Sequence, residues 1–167
     1  MHRRGLIVIA LATLSCSRGP SPAPVFESRV PLAPLLAKLR ASGGDPGKVL
    51  HPAGAADLAA LEAGKRYKFV VRQDGRLAVA PLPADATPNE YVHPVLAEGA
   101  PVRTAGGIRV DRDGGALREV TVDQDSKAYC PTAASLDAAL AELARLGVPA
   151  GRLRVENRPP ACVGGPS

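Results

Sequence analysis

Between Arg66 and Val79 the chain alternates, and this alternation constrains its fold more than any other feature. Tyr67, Phe69 and Val71 are apolar, Arg66, Lys68 and Arg72 between or beside them are basic, and Leu77 and Val79 resume the pattern beyond Gln73-Asp74-Gly75-Arg76. A period of two puts the apolar side chains on one face of a strand, and an Asp-Gly pair supplies the positive φ that a tight turn needs. The segment predicts a hairpin. A second is predicted where Ile108 and Val110 alternate with Arg109 and Asp111, Asp113-Gly114-Gly115 turns, and Val120 and Val122 alternate with Glu119, Thr121 and Asp123. In that hairpin Arg109 and Glu119 are expected to face one another on the solvent side. Residues 81–90, "PLPADATPNE", read as a proline-rich loop.

The period is helical elsewhere. Leu32, Leu35, Leu36 and Leu39 recur at helix spacing over 32–40, and "ASGGDPG" breaks the run. A short helix is predicted over 55–63, with Leu58 and Leu61 on one side and Gly64 as its stop. Leu136, Leu140, Leu143 and Leu146 form the clearest stripe, with Ser135 as its expected N-cap and Gly147 as its end. Leu153 to Val155 reads as a final strand. The order helix, helix, hairpin, hairpin, helix, strand implies an α+β fold, a small antiparallel sheet of two hairpins packed against helices on one face.

The opening stretch, "MHRRGLIVIALATLSCS", speaks to location. A basic start at His2, Arg3 and Arg4 precedes an apolar run from Leu6 to Leu14, shorter than the roughly 20 residues that cross a bilayer. This is the pattern of an export signal. Its end, Thr13-Leu14-Ser15-Cys16, resembles a bacterial lipobox, with Ser15 as the small residue before the cut and Thr13 where Leu is usual. The resemblance implies that 1–15 are a signal peptide, that Cys16 becomes the first residue and carries acyl chains such as palmitate, and that Ser17 directs the protein to the outer membrane. A plain secretory signal with an incidental cysteine, or an apolar N-terminal anchor, is the alternative. Residues 16–30 begin as "CSRGPSPAP" and are expected to act as a Pro/Ser/Gly tether, 31–163 as one α+β domain, and 164–167 as a flexible tail. The formal net charge is +5, and losing Arg3 and Arg4 with the signal lowers it further. That is too mild to predict nucleic acid, and aromatics at 3% offer no stacking platform.

With Cys16 acylated, Cys130 and Cys162 remain as one pair in an oxidising compartment, where a disulfide is expected. A reactive thiol at Cys130 is the alternative. No metal-ligand cluster is visible in the sequence, since His51 and His93 lie far apart and each lacks a nearby second ligand. There is no phosphate loop, no Gly-x-Ser-x-Gly elbow and no His-Glu-x-x-His, so no cofactor is expected.

One constellation carries chemistry. His93, Leu96 and Gly99, then Ala105, Gly106 and Ile108, then Ser126, Tyr129 and Pro131 follow in order over about 60 residues. This pattern resembles a module of bacterial polymorphic-toxin and effector proteins, present also in plant IQ-motif proteins. The module reads His-Ser-x-Leu-x-x-Gly, Ala-Gly-Glu-Ile and Ser-Gly-His-Tyr-x-Pro. Here Pro94 replaces its Ser, Gly107 its Glu, and Lys127-Ala128 its Gly-His. Of two hallmark histidines only His93 survives, and one imidazole cannot serve as both acid and base unaided. The expected function is therefore a non-catalytic, lipid-anchored accessory or binding module of the bacterial envelope, touching the membrane through its acyl chains and another envelope protein through its folded body. The alternative is a secreted or contact-delivered lipoprotein toxin, with His93 as acid-base, Asp123 or Asp125 as its orienting carboxylate and Tyr129 as a polar stabiliser.

Overall fold

The computed structural model describes residues 24–87 and 89–162. The first hairpin pairs β1 (Arg66–Arg72) with β2 (Leu77–Pro83), so the strand runs further into the proline-rich stretch than expected. Its turn closes between Arg72 and Arg76, with Gly75 at φ 86° and the Arg76 amide donating to Asp74 Oδ1 at 3.0 Å. The second pairs β3 (Val102–Asp113) with β4 (Ala116–Val122). Gly114 and Gly115, at φ 54° and 88°, are the two central residues of that turn, a conformation open to glycine at both places.

This turn and a bulge between Asp111 and Arg112 set the register, and they correct one expectation. Arg109 lies opposite Thr121, and Glu119 lies opposite Asp111. Arg109 instead approaches Glu156 at 3.9 Å, while Glu119 takes Arg154 at 3.2 Å. Arg154 belongs to the last strand, β5 (Leu153–Val155), and Glu156 directly follows it.

The sheet is mixed, in the order β2-β1-β3-β4-β5. β1 joins β3 antiparallel, bridging the two hairpins, but β5 runs parallel to β4. The reason is the connection: α4 (Leu136–Arg145) crosses from β4 to β5, and a helical crossover returns the chain in the same direction. The fold class is α+β, a small open sheet packed against helices, with this one parallel pair.

The helices cover both faces, not one. On one face α2 (Ala55–Ala59) and α4 bury Leu58, Leu136, Ala139 and Leu143 against Tyr67, Phe69, Val71, Val79, Ile108, Val110, Val120 and Val122. On the other, α1 (Leu32–Ala41) and α3 (His93–Leu96) bury Leu39, Val95 and Leu96 against Val70, Ala78, Ala80, Val102 and Ala105. The apolar runs "FVV" and "LAVA" supply side chains to both faces, which is what a sheet covered on both sides requires. The first described residues also belong to this body, since Phe26 pairs with Val102 through two backbone bonds of 2.8 and 3.0 Å.

Helix ends have local causes. α2 stops at Ala59, earlier than predicted, because the Glu62 amide donates to Tyr67 Oη at 3.1 Å and leaves the helical ladder. The start of α2 is held by Asp57, whose carboxylate accepts from the amides of Ala53 and Gly54. Ser135 precedes α4 but does not cap it: its hydroxyl donates to the Thr132 carbonyl and meets Thr104 Oγ1. A 3₁₀ turn over Ala133–Ser135 already supplies helical backbone there. At the other end Gly147, φ 90°, and the Val148 amide bonded to the Leu143 carbonyl close the helix.

Cys130 and Cys162 form a disulfide, with Cα atoms 5.5 Å apart. It ties the chain beyond β5 to the loop before α4, alongside the bonds from Gln124 to Asn157 and Arg158.

Candidate functional site

On the α1/α3 side the apolar cover is partial. Beyond Val70 and Ala105 the same face carries Arg66 and Lys68 of β1, Gly107 and Arg109 of β3, and then Asp123 after β4. Where the cover ends lies a cleft of about 300 Å³. Val30 and Leu35 wall it on one side, Val92, His93 and Pro94 at the start of α3 on another, and Asp125, Lys127 and Ala128 of the loop after β4 on a third, over Arg66 and Lys68. Its lining joins these apolar side chains to the charged Arg66, Lys68, Asp125 and Lys127.

Arg66 and Asp123 form the centre of the polar side. The guanidinium donates Nε–H and Nη2–H to the two oxygens of Asp123 at 2.8 Å each, and reaches Asp125 at 3.4 Å. Asp123 Oδ1 also accepts from the amides of Gly107 and Asp125, both at 2.9 Å. Burial alone would raise the Asp123 pKa, but the Arg66 bonds and the two amides outweigh it and hold the carboxyl below its usual range. The Asp123 bond in turn raises the Arg66 pKa against the effect of burial. The pair needs Gly106-Gly107. A Cβ at Gly107 would lie 2.1 Å from Arg66 Nε, and one at Gly106 would lie 1.8 Å from the Asp123 carbonyl oxygen.

His93 is 9% exposed, and its Nε2 bonds the Gly106 carbonyl at 3.0 Å. A carbonyl only accepts, so Nε2 carries the proton of the neutral ring. Burial lowers the His93 pKa to about 4, and nearby Lys68 and Arg66 oppose the imidazolium further, against the Gly106 bond and Asp123. The imidazole is therefore neutral at ordinary pH. Lys68 is half-buried beside it, and burial lowers its pKa too, with Glu90 opposing. Glu90 itself pairs with Lys38 at 3.0 Å.

Tyr129 is 2% exposed, and its hydroxyl donates to the Ala100 carbonyl at 2.9 Å. Burial, and then Glu27, push its pKa up to about 12, so it remains a phenol. The structure thus brings His93, Asp123 and Asp125 to one neighbourhood, but Asp123 and Asp125 bond Arg66 rather than the imidazole. Tyr129 packs in the α1/α3 cluster and does not line the cleft. Lys127 and Ala128, which stand where the resembled module has Gly-His, do line it, as His93 does.

Sequence reasoning read Arg66 and Lys68 only as residues alternating with Tyr67, Phe69 and Val71 and gave them no part in a site. Val70, two residues on, was the signal that their face is covered. Cys16 lies outside the described residues. Among those residues no group of three or more His, Cys, Asp or Glu is placed to hold a metal ion, and no helix is long and apolar enough to cross a membrane. Compared with known proteins, the chain matches no family model, no curated protein and no solved structure.

Proposed function

We propose that this protein is a non-catalytic binding module of the bacterial envelope, held at the outer membrane by acyl chains on Cys16 and presenting the α+β body to another envelope component. One observation carries the non-catalytic half of this reading. Each polar side chain best suited to chemistry is engaged in holding the fold: His93 on Gly106, Asp123 on Arg66 and two amides, Tyr129 on Ala100. A base with a pKa near 4 takes protons poorly at neutral pH, and no carboxylate orients it. The anchoring half is supported by the lipobox-like Cys16 and by the Cys130–Cys162 bridge, which suits an exported protein.

The test has two arms. Cells labelled with radioactive palmitate should yield a labelled protein in the membrane fraction, and Cys16→Ser should lose both label and fraction. His93→Gln and Tyr129→Phe should each leave the cellular role of the protein intact at normal abundance. Loss of that role in either variant, with the fold retained, would overturn the non-catalytic reading in favour of a toxin or effector. An unlabelled native protein would overturn the anchor.

A further inference from the structure

The bonds of the cleft leave two cations unused. Arg66 is committed to Asp123 and Asp125, so its fork is closed to a ligand. Lys68 and Lys127 line the same cleft, and among the described residues neither ammonium has a hydrogen bond or an ion pair. Lys68 is the more telling of the two, because it sits half-buried on a covered sheet face and Glu90, which acts on its charge, is paired with Lys38 instead. His93 is neutral and adds wall without adding charge. The same cleft is lined by the aliphatic side chains of Val30 and Leu35 and the ring of Pro94.

We propose that this cleft binds a small amphipathic carboxylate, its acid group on Lys68 and Lys127 and its apolar body against Val30, Leu35 and Pro94. This deepens the binding-module reading and rests on it. Size follows from the volume: 300 Å³ is at the small end of ligand pockets, which suits a small molecule. Charge selects the acid, because Arg66, Lys68 and Lys127 outnumber Asp125 in the lining, and a neutral alcohol would bring Lys68 no ion pair. Two ammonium groups act as point charges and can take a carboxylate without the planar fork that Arg66 spends on Asp123.

Sodium octanoate, with ten non-hydrogen atoms, is the probe, and octylammonium and 1-octanol are its controls. Titrated into ¹⁵N-labelled protein, octanoate should bind with a dissociation constant of about 1 mM or below. It should shift the amides of Lys68, His93 and Ala128, and bind about tenfold more tightly than either control. Lys68→Met, which keeps the aliphatic stem, should weaken octanoate about tenfold and leave octanol unchanged; Lys68→Arg should restore most of the affinity. Equal binding of octanoate and octanol, shifts confined to another surface, or full affinity in Lys68→Met would each overturn the proposal. A thermal melt of Lys68→Met at the native midpoint separates lost binding from lost fold, and Lys127→Met serves should that midpoint fall. Failure here, with palmitate labelling and fractionation intact, refutes the ligand and leaves the anchored module standing; failure of the labelling refutes the anchor and leaves the octanoate result untouched.

Discussion

At the scale of single residues, two glycines and one histidine shape the cleft. Gly106 and Gly107 are required by what passes over them, the Asp123 carbonyl and the Arg66 guanidinium, rather than by any phosphate. Two adjacent glycines are visible in a sequence; the atoms that exclude their Cβ groups are not. His93 makes a prediction about acid. Its pKa is 6.5 in an exposed chain and about 4 in the fold. Between those values the unfolded chain binds a proton that the folded chain refuses, so stability falls as pH falls through this window and is flat above it. The loss amounts to about 3 kcal/mol by pH 4. Urea unfolding at pH 7.5 and pH 4.5 should show it, and His93→Gln, whose amide can still donate to Gly106, should remove most of the difference. An unchanged pH dependence in that variant would mean another group is responsible. Asp123 acts elsewhere on the scale: its depressed pKa gives a contribution present above the ordinary carboxylate range and lost only below it.

At the scale of elements, the periodic runs were legible, as were the short α2 and the presence of β5, and α3 was not. The three helices and both hairpins announced themselves through repeated spacing and glycine stops. α3 spans four residues, fewer than two turns, too few to carry a period. Its placement comes from packing Val95 and Leu96 against the sheet. β5 has only three residues, and its direction depends on the crossover through α4. Such a strand is weak alone and relies on the tail that follows it. The disulfide pins that tail across a separation of 32 residues, which the chain-entropy model values at about 3 to 4 kcal/mol. Cys162→Ser should lower stability by about that amount, and hydrogen exchange at Glu156, whose amide donates to Val122, should accelerate more than at Val70. Equal acceleration at both sites would show the bridge acting on the whole domain rather than on this edge.

At the scale of the whole molecule, two apolar layers share one sheet. Leu39 and Leu143 are 1% and 0% exposed and lie in different clusters, on opposite faces. Leu39→Ala and Leu143→Ala should each cost about 3 kcal/mol. Because they share no contact cluster, the double variant should lose close to the sum, in a single transition by circular dichroism and by tyrosine fluorescence. Separate transitions would mean that the α1/α3 layer folds on its own. The sequence by itself determined the elements whose spacing is local: the helical stripes, the alternating strands, their turns, the cysteine pair and the α+β class that their order implies. Tertiary structure alone decided that β5 runs parallel, that both faces are covered, and that Arg66, Lys68, His93 and Lys127 meet at one cleft. The physical reason is range. Periodicity and turn chemistry act over a few neighbouring residues, whereas burial of Lys68 and neutrality of His93 arise from segments some 25 to 60 positions apart that only the packed sheet brings together.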